Sequence, residues 1–422
     1  PSIKAEVSEM FIGKSYVLFR YKTIEDVRLV YIPRQDIGEF GGETDNWVWP
    51  RHTGDFSFLR AYVAPDGKPA KYSKDNVPYQ PKKHLKVNPK GVEENDFVFI
   101  LGYPGRTFRH RPAQFIAYQQ QFLLPYVSEL YDFQNQQMAL AGKNDKATEL
   151  ALATRIKRNA NVMKNYRGKL KGLRNIDLIA TKKKEDQELA NFINSKPELK
   201  SKYGNLMQDI DAHYQLVFSD ALRELWFNNL YTGIRTMHVA SLINSFKKAV
   251  ANHKSDSERQ QFFDLNIANV KKQLDAVYES YNATADKAIA ARMFADAMAL
   301  TGDHRIQTIQ KKNFADATQA VSYIEQTINE SKLNSADGLY ASVLKDAKSL
   351  LNYSDEALKI QQQLNEEHTI FREELKRREG VLNRLMGDYV AVKEVFQAKN
   401  FIPDANSTLR LTYGNIKGYS PA

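Results

Sequence analysis

The chain has 422 residues, more than one ordinary domain holds, and 42% of them are apolar, so two or three domains with real cores are expected, not a disordered chain. Sixty Lys and Arg against fifty Asp and Glu leave a net charge of +10, an excess that spreads over solvated faces more readily than it builds a nucleic-acid groove. The absence of cysteine excludes disulfides, Cys-ligated zinc and a thiol nucleophile within these residues, and with no run of eighteen apolar residues no membrane-spanning helix is predicted.

The chain opens on Pro1, with no charged-then-apolar leader after it, and reads as an excised or processed piece of something longer. Residues 16–21 (YVLFRY) and 27–32 (VRLVYI) are short β-rich runs joined by a polar turn, which predicts a hairpin. Residues 56–63 (FSFLRAYV) predict another strand, stopped by the turn sequence Pro65-Asp66-Gly67. Residues 97–101 (FVFIL) predict a fourth, stopped at Gly102-Tyr103-Pro104-Gly105.

The pattern then changes. Eleven of the fourteen prolines lie in residues 1–125, and between 126 and 402 there is only Pro197. Proline lacks an N–H and clashes with the preceding turn, so helix interiors expel it; residues 126–402 are predicted to be helical. Leu339, Val343, Ala347, Leu350 and Leu351 recur at helical spacing, and Glu366, Glu367, Glu373, Glu374, Lys376 and Arg377 lace another long helix. Breaks are expected near Gly142, Pro197, Gly204, residues 254–257 and Gly302, with no fixed repeat period. Residues 409–413 (LRLTY) return to a strand pattern. The order is β, long helical block, β: an α+β chain with a helical domain inserted into a β domain.

The chemistry concentrates in residues 40–56, FGGETDNWVWPRHTGDF, which hold two of the three tryptophans among several ionisable groups. A core strand would not carry Asp45, Arg51, His52 and Asp55 together, and a solvated loop would not normally carry two indoles. His52 and Asp55 could form a metal pair with His84 or His110, but nothing gives helical ligand spacing and no metal is assigned. The GKS of residues 13–15 lacks the first glycine of a phosphate loop, and neither HExxH nor GxSxG occurs. Lys182, Lys183 and Lys184 sit in a charge-mixed helical pattern and read as a solvated face.

Residues 40–56 resemble the signature of the bacterial dipeptidyl-peptidases of serine peptidase family forty-six (dipeptidyl-peptidases seven and eleven). Residues 102–107 (GYPGRT) and 404–414 (DANSTLRLTYG) resemble two further blocks of that family. Glu43 departs from the aspartate often found there but keeps the carboxylate. The resemblance implies a chymotrypsin-like double β-barrel, with residues 1–107 and 404–422 belonging to the barrel domain and 108–403 to an inserted helical lid. It implies release of dipeptides from the free N-terminus of peptides by a Ser-His-Asp triad with no cofactor, in a homodimer located in the periplasm or secreted. Asp55 is then the triad acid, and Asn46 and Trp47 hold the substrate's terminal ammonium. An asparagine from the helical domain joins them, with Asn161 favoured over Asn159 and Asn165; Trp49 and Pro50 are expected to be packed support, and His52 part of the loop scaffold.

In the family the triad histidine precedes the part represented here, and the serine follows it in a Gly-Asn-Ser-Gly-Ser segment. These 422 residues alone are therefore expected not to hydrolyse peptides, and the preference for acidic or apolar side chains at the cleavage position is not set by them. Two other readings stand beside the enzyme: a catalytically inactive helical peptide-binding module on a degenerate peptidase scaffold, and, more weakly, a polyanion-binding helical protein.

Overall fold

A computed structural model describes residues 3–420. The chain is α+β and forms two compact units. The first takes in the described residues up to Arg111, Gln187–Leu206 and those from Val381 onward; the second comprises Pro112–Asp186 and Met207–Gly380.

In the first unit, β1 (Ile3–Phe11) and β2 (Ser15–Lys22) pair antiparallel, with Val7 opposite Leu18. Gly13 turns the chain between them at φ 68, a left-handed conformation that suits glycine, and its N–H donates to Glu9 Oε1 at 2.7 Å. The glycine of the GKS is thus a hairpin turn. β3 (Asp26–Tyr31), β4 (Phe58–Val63) and β5 (Val77–Pro78) make a second antiparallel sheet in that order. The hairpin predicted between residues 16–21 and 27–32 does not form. Both runs are strands, but β2 pairs with β1 and β3 with β4. The partner of β2 is β1, where Ile3, Ala5 and Val7 alternate with Lys4, Glu6 and Ser8 until Glu9 breaks the pattern.

A buried carboxylate anchors the start of β3. Asp26 is 3% exposed and accepts two bonds from Arg28, at 3.0 and 2.8 Å, and one from Asn76 Nδ2 at 2.8 Å. The Arg28 guanidinium lies 3.7 Å from the centre of the Tyr62 ring, on the residue that pairs with Asp26 across β3 and β4. The bonds from Arg28 hold the Asp26 carboxyl below its ordinary value of 3.8, burial opposes them, and Asn76 adds to the lowering. A carboxyl with a depressed folded pKa stabilises the fold above its unfolded pKa and loses that contribution as pH falls through the folded pKa. Asp26→Asn is therefore expected to lower thermal stability at neutral pH, with the gap to wild type closing below pH 3.8. A gap that stayed constant down to about pH 2 would show that the ion pair does not stabilise this sheet.

β6 (Phe97–Gly102) pairs antiparallel with β7 (Arg410–Asn415), so the chain returns after the helical block to the strand it left. The two sequence blocks flanking this return are knitted together. Asp404 Oδ1 accepts from the Thr107 hydroxyl at 2.7 Å and from the Arg109 N–H at 2.8 Å, and Ser407 N–H donates to Pro104 O at 2.9 Å. Arg410 ties the turn from inside, donating to Asp404 O at 2.8 Å and to Asn406 Oδ1 at 3.0 Å. The strands of all three sheets leave large apolar side chains exposed, among them Val7, Leu18, Leu29, Leu59, Ile100 and Leu411.

The second unit is helical around one large core that includes Trp226, Phe227, Leu230, Ile243, Met293, Phe294 and Phe371. Local sequence starts its helices. Asp145 caps Lys146–Ile176, Ser255 and Glu258 form a reciprocal capping box at Asp256–Tyr278, and Asn282 caps Ala283–Met298. The predicted breaks at Gly142, Pro197, Gly204, 254–257 and Gly302 fall at or beside helix ends. The run of apolar residues from Leu339 to Leu351 is not one helix. Asp346 accepts from Ser349 N–H and starts a new helix, Ala347–Asn352, after Ala336–Ser342 has ended. The lysine run lies on the helix Leu178–Ser195, where Lys182 pairs with Glu185 at 2.7 Å.

Candidate active site

The dense segment is built from a one-turn helix, Gly42–Asp45, entered through Gly41 at φ 78. The Asp45 carboxylate folds back so closely that a Cβ on Gly41 would lie 1.8 Å from Asp45 Oδ2. Asn46 ends the turn in an extended conformation and Trp47 follows at φ 61. A bulky residue in the left-handed region costs about 1–3 kcal/mol and persists where the surroundings over-determine it, which is characteristic of binding sites. Trp47 is 59% exposed, so core packing does not explain its presence. Trp49, expected as packed support, is 71% exposed, and its ring centre lies 4.1 Å from that of Tyr419. The Trp49–Pro50 peptide is cis. Both indoles of the segment are therefore presented, not buried.

A chain of polar contacts runs through the segment. Asn46 Nδ2 donates to Glu43 Oε2 at 3.4 Å, and Arg51 Nη1 donates to Asn46 Oδ1 at 3.3 Å. Arg51 Nε donates to Thr53 Oγ1 at 2.7 Å, and the Thr53 hydroxyl donates to Phe40 O at 2.9 Å. Glu43, Arg51 and Thr53 thus orient the Asn46 amide. The sequence alone does not show this role for the three residues, because the bonds need the chain to double back on itself. Gly54 completes the fold-back: its N–H donates to Ile37 O at 2.9 Å, and a Cβ there would meet Ile37 Cγ2 at 2.8 Å.

Asp55 follows immediately, exposed, and lines a shallow cavity of about 600 Å³ with Ile32, Pro33, Glu39, Phe56 and Ser57. Among the described residues its carboxylate accepts no hydrogen bond and joins no ion pair. Asn46 and Trp47 do not line this cavity. Asn161 lies exposed on the helix Lys146–Ile176 of the second unit, while Asn159 on the same helix is buried and donates to Gln134 Oε1 at 3.0 Å. Asn159 is thereby committed to the helical core. His52 is exposed, and His110 stacks on Phe401 with ring centres 4.4 Å apart and bonds Ile402 O at 2.9 Å.

Comparison with known proteins places the chain in a family. The profile of Peptidase S46 matches residues 2–422. The Asp/Glu-specific dipeptidyl-peptidase of Shewanella putrefaciens is 30% identical over 99% of this chain and 57% of its own length. Dipeptidyl-peptidase 7 of Capnocytophaga gingivalis is 32% identical over 97% of this chain and 56% of its own length. The crystal structure of Porphyromonas endodontalis DPP11 in complex with the dipeptide Arg-Glu superposes with a TM-score of 0.81 at 28% identity, covering all of this chain and 60% of that one. The chain spans somewhat more than half the length of the curated relatives it matches.

Proposed function

The chain belongs to the Peptidase S46 family, and from that premise we propose that the protein of which it forms part releases dipeptides from the free N-terminus of peptides by serine-peptidase chemistry. The observation that carries this reading is the juxtaposition within one short segment: an exposed Asp55 carboxylate with no partner among the described residues, lining a cavity, nine residues after an oriented Asn46 amide and eight after a strained, exposed Trp47. Asp55 accepts the imidazole N–H of a histidine, fixes its tautomer and stabilises the imidazolium formed when a serine is deprotonated. The histidine and serine are assigned to chain outside these residues, so this chain alone does not hydrolyse peptides.

Asn46 Oδ1 accepts an N–H of the substrate's terminal ammonium. The bond from Arg51 identifies this atom as the amide oxygen, the acceptor end of the side chain. The exposed indole of Trp47 adds cation–π attraction. Asn161 is proposed as a further acceptor on the family resemblance. The exposed apolar faces of the three sheets support the reading that they belong to a chymotrypsin-like double β-barrel completed by further chain. A homodimer in the periplasm, or secreted, is the setting taken from the same resemblance.

Asn46→Ala tests the assignment. In the intact enzyme it is expected to cost about 1.5–3 kcal/mol in kcat/KM on free peptides, the range for a hydrogen bond to a charged group. On the same peptides with an acetylated N-terminus it is expected to cost nothing further, because wild type has already lost the interaction. Equal impairment of both substrates would make Asn46 a structural residue.

A further inference from the structure

The helical unit encloses a cavity of about 400 Å³ whose walls include Tyr131, Gln134, Arg155, Arg158, Asn159 and Arg235. We propose that this cavity is a binding site for a small oxyanion, a carboxylate or phosphate-like group held by the three arginines and Gln134.

The cavity carries an excess of positive charge. Arg155 is buried, and its Nη2 donates to Thr232 O at 3.1 Å and Gly233 O at 2.8 Å, carbonyls at the end of the helix Leu206–Gly233, not to a carboxylate. Arg158 joins no ion pair among the described residues. Two carboxylates face the group. Glu279, on the wall, pairs with none of the three guanidinia among the described residues. Asp286 is 1% exposed and already occupied: Oδ1 accepts from Arg235 N–H at 2.5 Å, and Oδ2 from Thr236 N–H at 2.9 Å and the Thr236 hydroxyl at 2.7 Å. Asp286 therefore serves the first turn of the helix Arg235–Ala251.

The electrostatics agree. Burial lowers Arg155 to about 10, with the charge of Arg235 lowering it further and Asp286 and Tyr131 opposing. Burial also lowers Arg235, Asp286 opposes, and Arg158 adds to the lowering. All three guanidinia line the one cavity, and Arg235 is coupled electrostatically to both Arg155 and Arg158 there.

Unpaired donors point the same way. Gln134 is 1% exposed, its Oε1 accepts from Asn159, and its Nε2 is buried with no hydrogen-bond partner among the described residues. Arg235 Nε is likewise buried without a hydrogen-bond partner among the described residues. A buried donor left unmade costs about 1–3 kcal/mol, and an oxyanion supplies acceptors to several at once. A cation would be repelled, and an apolar ligand would leave the donors unmet. The volume exceeds a phosphate ion and suits a small organic acid or the carboxyl end of a short peptide.

Isothermal titration of the full chain in low-chloride buffer, with inorganic phosphate and with an N-acetylated dipeptide bearing a free carboxyl, tests the site. Saturable binding of at least one is expected, absent for the same dipeptide as its C-terminal amide. Phosphate binding alone identifies an inorganic oxyanion, and dipeptide binding alone identifies a peptide carboxylate; both outcomes support the site. Arg158→Ala, an exposed position, is expected to weaken binding about tenfold or more, as loss of a charged hydrogen-bond donor does, whereas Lys183→Ala on the neighbouring charged helix is expected to leave it unchanged. No saturable binding, or equal weakening by both substitutions, would overturn the proposal.

Discussion

On the proposed role of Asp55 as triad acid, Asp55→Asn in the full-length protein is expected to lower kcat by about 10⁴-fold while KM changes little, as replacement of the orienting acid does in other triads. The substitution keeps the shape of the side chain, so it isolates chemistry from folding. An amide at this position offers an N–H where the imidazole needs an acceptor, and the histidine is then held in the wrong tautomer. The local structure tolerates the change. Asp55 is exposed, carries no hydrogen bond or ion pair among the described residues, and is not what holds the loop, which is fixed by Gly54 on Ile37 and Thr53 on Phe40. Thermal stability should therefore match wild type. A variant that kept near-wild-type kcat would remove Asp55 from the triad and favour a protein that binds peptides without cleaving them.

The residues of that loop were legible in the sequence because their chemistry conflicts with every simple structural role. Two indoles beside Asp45, Arg51, His52 and Asp55 fit neither core nor ordinary loop, and in the structure both indoles are exposed. What could not be read was how the amide of Asn46 is oriented, since Arg51 reaches it only after the chain has turned through Gly41 and Trp47 at positive φ. The strands were legible as strands, but pairing was not. Residues 16–21 and 27–32 look like a hairpin because they are near in sequence, yet the contacts between β3 and β4 are set by Asp26, Arg28 and Tyr62, and Asn76 joins them from fifty residues away. The helical block was legible from the exclusion of proline. Its cavity arginines were not, because Arg155 and Arg235 converge from two different helices, Lys146–Ile176 and Arg235–Ala251, and a lone arginine on a helical pattern reads as solvated surface.

The largest expected loss of stability comes from Trp226→Ala. Trp226 is 1% exposed, stands edge-on to Phe227 and Phe294 at centroid distances of 5.2 and 6.3 Å, and donates Nε1–H to Met293 O at 2.6 Å. Truncation removes most of an indole from a packed core and leaves a cavity, which costs about 3–5 kcal/mol. At about 2–4 °C per kcal/mol for a domain of this size, unfolding of the helical unit should shift down by roughly 6–20 °C. Trp226→Phe separates the two contributions. It retains most of the ring volume and removes the N–H, so it should cost much less, near the ~1 kcal/mol of a single hydrogen bond plus a small void. The Met293 carbonyl belongs to the helix Ala283–Met298 and keeps an intrahelical acceptor role there, so losing the indole donor does not orphan it. If Trp226→Phe proved as damaging as Trp226→Ala in thermal melts, the hydrogen bond to Met293 and not the packing would be the anchor of this core. If neither moved the transition by more than about 2 °C, the surrounding side chains would have to close over the void, against the close packing of Leu230, Met293 and Phe294 around it.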